Sequence, residues 1–415
     1  MKKDSMRCKG ARDFLPGDMK RFRAIENISI NACRRWGFEE VRTPTLEYLH
    51  LFTSAGTLTP KMLNKVYSFL DWDGWSGERV VLRPDGTIPV ARLYMENLQQ
   101  QKVAKLFYVT NVFSFESTGK ENRERWQCGV EYLGNGALQA DIELIMLASD
   151  ILKRTGISDV KLSISHSGLL KSLLSTLELE ADEYDRLVNS IKQGKWGHLS
   201  RARGKKAAIN ELINLLLTVK GKSSGYLDNI KTLPSIPGEV LSALNDFSTA
   251  TSSLDALNCQ YQIDITTIKD FEYYTGLCFK FIYNEHQTIC SGGRYNDLLP
   301  LMGGRNIPAC GFALYMDPLL ELLPLDCGSS KKATISVCPS SSSPASLIKG
   351  YSLLSALHQN GYAAEIDFNQ AHGNYRYCIK PGKKLSLYSV TDSIKNKTYK
   401  SVTAQKILDI LRVES

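Results

Sequence analysis

The sequence predicts an α+β protein: an antiparallel sheet flanked by helices, with a helical insertion and a small C-terminal α/β domain. Three observations predict it. Segments rich in β-branched and aromatic residues lie far apart in the chain, so their strands would have to share one sheet. A leucine- and charge-rich stretch of helical period separates them. A Gly/Ser linker then precedes a strand–helix–strand unit. The expected body covers residues 1–325, with the insertion at about 169–257, and the small domain covers 333–415.

In chain order, residues 17–36 place Met19, Phe22, Ile25, Ile28, Ala32 and Trp36 at helical spacing, and Gly37 supplies the stop. Phe38–Pro44 and Val80–Leu82 are expected strands. Lys105–Phe115 and Trp126–Leu133 are expected to form a long antiparallel pair joined by the polar loop 116–125. Ile142–Arg154 is helical and ends at Gly156. Within the insertion, Ile209–Val219 and Val240–Phe247 have helical spacing. Strands resume at Tyr261–Ile265, Leu277–Ile282 and Thr288–Ser291, followed by Gly292-Gly293 and a short helix. A linker at 326–332 carries Gly328-Ser329-Ser330. Beyond it, Ala333–Cys338, Ser346–Asn360 and Tyr362–Asp367 spell the βαβ unit, and residues 340–343 are a serine loop.

Composition limits the function classes. The chain has 415 residues, 43% of them apolar and 23% charged, which suits a globular protein of two or three domains. No apolar run approaches the roughly 18 residues a membrane span needs. Met1-Lys2-Lys3-Asp4 lacks the apolar stretch of a signal peptide, so the expected compartment is the cytoplasm. The 10 cysteines contain no C-x-x-C and the 6 histidines are scattered, so reduced thiols are expected and neither a metal nor a cofactor is implied. Of the net charge of +8, +7 falls in residues 331–415, which hold 12 Lys and Arg against 5 Asp and Glu. Such a module suits either a solvated lysine surface or contact with an anionic partner such as RNA.

Four clusters carry polar chemistry. Leu82-Arg83-Pro84-Asp85-Gly86-Thr87 ends a strand in an acid and a hydroxyl. Gln127, Gly129 and Glu131 alternate onto one strand face. Tyr273-Tyr274 and Ser291-Gly292-Gly293-Arg294-Tyr295 add aromatic walls with hydroxyl tips and a backbone that a ligand can approach. If these share a sheet face, Asp85 and Glu131 offer two acceptors for an ammonium. Each cluster alone is weak, because a lone strand acid is ordinarily a surface residue and a tyrosine pair is ordinarily core.

Their order resembles the class II aminoacyl-tRNA synthetases of the histidine type. Gly10-Ala11-Arg12-Asp13-Phe14-Leu15-Pro16 resembles that family's entry motif, and Val41-Arg42-Thr43-Pro44 its dimer-forming strand. LRPDGT at 82–87 resembles LRPEGT, and the 106–134 hairpin resembles the second class motif. The YYTG and SGGRY strings resemble the two histidine-type signatures, and Gly311-Phe312-Ala313 opens the third motif. The resemblance spans about residues 8–323. It implies that Asp85, Thr87, Gln127, Glu131, Lys269, Tyr273, Tyr274 and Tyr295 bind histidine, and that the chain self-associates as a dimer.

The departures from the resemblance matter as much. Ser114 stands where the second motif carries its α-phosphate arginine, and Pro318 where the third motif carries its γ-phosphate arginine. Lys269 replaces a histidine-type arginine, and Asp270 the glycine after it. Arginine offers phosphate a planar fork of donors that Ser and Pro cannot supply. Each loss costs roughly 1.5–3 kcal/mol, so two weaken nucleotide binding by about 10²- to 10⁴-fold. An intact amino-acid half beside a broken nucleotide half resembles the regulatory subunits of ATP phosphoribosyltransferase, which also share Asp at position 85. That resemblance implies a subunit without catalysis of its own. Its partner would be the short-form catalytic subunit, and its effector histidine, in the first step of histidine biosynthesis. Two alternatives stay open: a divergent histidyl-tRNA synthetase using Arg123, Arg125 or Lys269, and a synthetase paralogue that binds RNA through its basic C-terminal module.

Overall fold

The computed structural model describes residues 6–56, 63–72, 77–118, 121–202, 207–218, 221, 224–234, 236–268, 272–323, 335–339, 343–367, 375–382 and 387–412. Lys269, Asp270, the linker 326–332 and serines 340–342 lie outside the described residues. The chain divides into two compact units, Met1–Cys327 and Gly328–Ser415.

The first unit opens with α1 (Pro16–Arg35), where Pro16 sits in the first turn and Asp18 accepts the Leu15 amide at 3.1 Å. Then come β1 (Glu39–Glu40), β2 (Leu46–Tyr48), α2 (Leu49–Ser54), β3 (Ser68–Trp72), β4 (Gly77–Leu82) and α3 (Thr87–Leu93). The hairpin β5 (Ala104–Phe113) and β6 (Glu124–Leu133) leads into α4 (Leu138–Thr155) and β7 (Val160–His166). Gly156 ends α4 in the left-handed conformation, at φ 74°. The insertion comprises α5 (Ser167–Ser175), α6 (Ala181–Lys192), α7 (Gly197–Arg201), α8 (Ala207–Thr218), α9 (Gly225–Lys231) and α10 (Gly238–Ala256). β8 (Gln262–Ile263), β9 (Leu277–Tyr283), β10 (Gln287–Arg294), α11 (Leu298–Leu301), β11 (Ala309–Tyr315) and α12 (Met316–Leu322) complete the unit.

The main sheet has the order β1-β5-β6-β11-β10-β9-β7-β8. Its inner pairs are antiparallel, whereas both edge pairs, β1–β5 and β7–β8, are parallel. The period-2 alternation of the strands decides what each face does. Cys128, Val130, Tyr132, Phe312 and Leu314 face α1, α4 and the insertion in the larger core, with Phe22, Ile25, Leu144, Ile145 and Ile151. Each such fully buried side chain contributes about 1.5–3 kcal/mol. Leu106 and Tyr108 face the other way, toward Ile88, Tyr94 and Leu299. Gln127, Gly129, Glu131 and Gly311 share that second face.

Four local expectations need correction. Phe38–Pro44 gives only two residues of strand, because the Thr43 and Pro44 carbonyls accept from the Arg83 guanidinium and Thr45 from its amide. Val80–Leu82 is in a separate three-stranded sheet, β2-β4-β3. Tyr261–Ile265 yields two residues of strand and then a turn at Ile265–Thr267 capped by Asp264, whose Oδ1 accepts the Thr266 amide at 2.9 Å. Gly292 and Gly293 lie inside β10, paired with Phe312 and Gly311, rather than after it.

The second unit contains β12 (Ile335–Val337), α13 (Pro344–Gln359) and β13 (Ala364–Ile366), with β12 and β13 parallel as a βαβ unit requires. It continues through β14 (Tyr377–Pro381), β15 (Tyr388–Asp392), β16 (Lys397–Val402) and α14 (Ala404–Arg412), and its sheet order is β13-β12-β14-β15-β16. Leu353, Leu357, Ile407 and Leu411 from the two helices pack on Ile335, Val337, Ile379 and Val390. Among the described residues no helix is long and apolar enough to cross a membrane.

Candidate functional site

The second face of the main sheet opens into a cleft of about 790 Å³. Asp85, Thr87, Gln127, Tyr273, Tyr274 and Tyr295 line it. Glu131 lies in its floor, bonded to the Tyr295 hydroxyl. Lys269 is outside the described residues.

β6 places Gln127, Gly129 and Glu131 on the cleft side. Opposite Gly129, β5 presents Tyr108. A Cβ at Gly129 would stand 2.0 Å from the Tyr108 ring, so only glycine lets that ring lie across β6. The Tyr108 hydroxyl then donates to Glu131 Oε1 at 3.1 Å and accepts from Gln127 Nε2 at 3.4 Å. The sequence reading missed Tyr108. A glycine in the middle of a long strand, facing position 108 in the hairpin, was the signal that could have found it. Gly311 plays the same part for Glu131: a Cβ there would meet Glu131 Oε2 at 2.1 Å.

Asp85 arrives from outside the main sheet, in the loop between β4 and α3. Its Oδ1 accepts the Ile88 amide at 3.0 Å, capping the start of α3. The turn before β9 brings Tyr273, whose ring stacks on Tyr295 at 5.4 Å and meets Tyr274 edge-on at 5.1 Å.

Electrostatics set this pocket apart. Burial pushes the Glu131 carboxyl up from 4.5 to about 8; hydrogen bonds from Tyr295, Thr87 and Tyr108 work against the shift, and the Asp85 charge adds to it. Asp85 keeps some surface toward the cleft, yet burial raises it too, against the pull of the Ile88, Thr87 and Gly86 amides. Burial, with both acids for Tyr108 and Tyr273 and with Glu131 for Tyr295, pushes the three hydroxyls well above the ordinary tyrosine value. Among the described residues, no Lys, Arg or His forms an ion pair with Asp85 or Glu131. Two enclosed acids without a cation paired to them among the described residues suit a ligand that brings its own positive charge.

The other end of the cleft differs. Val112, Arg125, Trp126, Ser291, Tyr315, Asp317 and Pro318 line it. Asp317 is paired with Arg12 and also accepts the Trp126 amide at 2.7 Å. Ser114 donates its amide to the Arg123 carbonyl at 2.9 Å. Arg123 is turned into its own loop, with Nε on the Glu116 carbonyl at 2.8 Å and its guanidinium 4.8 Å from the Phe115 ring centre. Among the described residues, no three His, Cys, Asp or Glu gather as metal ligands.

The family described as histidyl-tRNA synthetase matches residues 10–319. An ATP phosphoribosyltransferase regulatory subunit from Dehalococcoides mccartyi is 43% identical over 98% of this chain and 98% of its own length. A histidine–tRNA ligase from Methanosarcina acetivorans is 34% identical, over 87% of this chain and 84% of its own. A solved structure from Bacillus halodurans, described as an ATP phosphoribosyltransferase regulatory subunit/histidyl-tRNA synthetase, superposes with a TM-score of 0.78 at 26% identity, covering 92% of this chain and 100% of that one.

Proposed function

The chain belongs to the histidyl-tRNA synthetase family, within its group of ATP phosphoribosyltransferase regulatory subunits, and from that premise we propose that it activates a short-form ATP phosphoribosyltransferase catalytic subunit and takes part in feedback inhibition by histidine. It has no catalysis of its own on this reading, self-associates as a dimer, meets that partner in the cytoplasm, and binds histidine through Asp85, Thr87, Gln127, Glu131, Lys269, Tyr273, Tyr274 and Tyr295.

The observation that carries the ligand is the acid pair. Asp85 and Glu131 are held among three tyrosines with no protein cation beside them among the described residues, and histidine supplies an ammonium and an imidazole. At the other end, Pro318 offers phosphate no charged fork, and the Asp317 carboxylate, already paired with Arg12, stands beside it. The test is the rate of a short catalytic subunit from the same organism, measured with and without this protein. We expect activation that added histidine suppresses. No activation at any ratio of the two proteins would remove the reading.

A second reading, a divergent histidyl-tRNA synthetase, has one feature in its favour: Arg125 lines the nucleotide end of the cleft. Histidine-dependent exchange of pyrophosphate into ATP would establish it.

A further inference from the structure

Tyr273 and Tyr274, which wall the acid pair, are carried by the segment from Glu272 to Gly276, which turns at Glu272–Tyr273 before entering β9. Every second carbonyl of that segment is taken by the first helix of the insertion. Lys171 Nζ donates to the Glu272 carbonyl at 3.1 Å, Ser167 Oγ to Tyr274 at 2.8 Å, and the Ser167 amide to Gly276 at 2.8 Å. On its other side the Thr275 amide bonds the Arg294 carbonyl at 2.7 Å, next to Tyr295. The Glu272 carboxylate pairs with Lys192, the last residue of α6.

We infer that Glu272 is a positioning residue that ties the tyrosine wall of the pocket to α5 and α6, so that filling the pocket and seating the insertion are coupled. The inference rests on the pocket being the ligand site proposed above. The geometry favours coupling over simple stabilisation. The Glu272 side chain is 53% exposed and Lys192 34%, a setting in which an ion pair adds little stability by itself. What the pair does add is a direct link between the backbone that aims Tyr273 and a helix that otherwise contributes nothing to the cleft. A ligand that orders the Tyr273–Tyr295 stack must also fix Glu272, and through it Lys192. A regulatory subunit requires some such path from an enclosed pocket to its surface.

Backbone amide exchange on the full chain tests this, with and without saturating histidine, alongside calorimetric titration. In the parent protein, histidine is expected to slow exchange in residues 272–276 and also along α6. In Glu272→Ala, histidine should still bind, about two- to fivefold more weakly, and still protect 272–276, but protection of α6 should vanish. The exchanged pair, Glu272→Lys with Lys192→Glu, should restore it. Histidine protecting α6 in Glu272→Ala as fully as in the parent would overturn the inference. A separate arm needs no ligand: Glu272→Ala should speed exchange of the Thr275 amide while leaving Val130 in the sheet centre unchanged. If the parent shows no heat with histidine, the ligand reading falls by itself; equal Thr275 exchange in parent and variant would then remove the tether as well.

Discussion

At the scale of residues, Glu131 concentrates the chemistry. In the fold its carboxyl holds a proton up to about pH 8, whereas its ordinary value is 4.5. Between those values the folded state binds more protons than the unfolded chain, so stability falls as pH rises. A shift of that size corresponds to roughly 5 kcal/mol across the window. The ligand-free protein should therefore lose urea resistance from pH 5 to pH 8, and Glu131→Gln should flatten that slope. A slope unchanged in the variant would place the titration elsewhere. The same substitution removes the carboxyl that a ligand ammonium would draw into its ionised form. Histidine affinity measured by calorimetry should drop by about 10- to 100-fold, the worth of a charged hydrogen bond of roughly 1.5–3 kcal/mol. Enclosing this acid costs stability and favours cationic ligands, the usual trade at a binding site.

At the scale of elements, the arginine that follows the two glycines of SGGRY explains how the site is held. Arg294, at the end of β10, donates to Asp141 Oδ2 from Nε at 3.0 Å and from Nη2 at 2.6 Å. Its remaining donors reach the Asn135 and Ala137 carbonyls at 3.1 and 3.2 Å, so one guanidinium locks the strand to the start of α4. Tyr295 follows directly and touches Glu131. Arg294→Met would leave Asp141 buried without its partner, at a cost of about 3–5 kcal/mol. Urea unfolding should show that loss, and the double change Arg294→Met with Asp141→Leu should recover much of it. A single variant as stable as the parent would mean that water or a neighbour takes over the Asp141 charge. Sequence reasoning placed Arg294 in a motif but gave it no role, because its partner stands 153 positions away in the chain.

At the scale of the molecule, the small sheet β2-β4-β3 carries an unusual number of exposed apolar side chains. Leu46, Tyr48, Phe69 and Leu70 are all about half exposed, and Trp72 is 69% exposed. Edge strands with such a surface invite pairing with another chain. They adjoin Pro44, where the family resemblance puts the dimer. Light scattering of the parent should give a dimer mass, and Leu70→Ser with Trp72→Ser should shift it toward the monomer while the far-ultraviolet circular dichroism is retained. A monomeric parent would remove the dimer from the proposal.

The sequence by itself determined the periodic elements: α1, the β5–β6 hairpin, α4 with its glycine stop, the helical insertion and the first βαβ of the second unit. Hydrophobic period and caps are local properties, so a single chain carries them openly. It also carried, through ordered motifs, the residues other than Lys269 that the fold gathers around one cleft. Only the tertiary structure decided that Asp85 enters from a separate sheet and caps α3, that Tyr108 lies across Gly129, and that Glu131 sits over Gly311. These depend on strand register and on contacts between residues far apart in the chain, which no local pattern encodes. The parallel edge pairs and the shortened strand at Glu39–Glu40 have the same origin. Arg83 takes the carbonyls that a longer ladder would have used, and the partner that claims a backbone group is chosen in three dimensions.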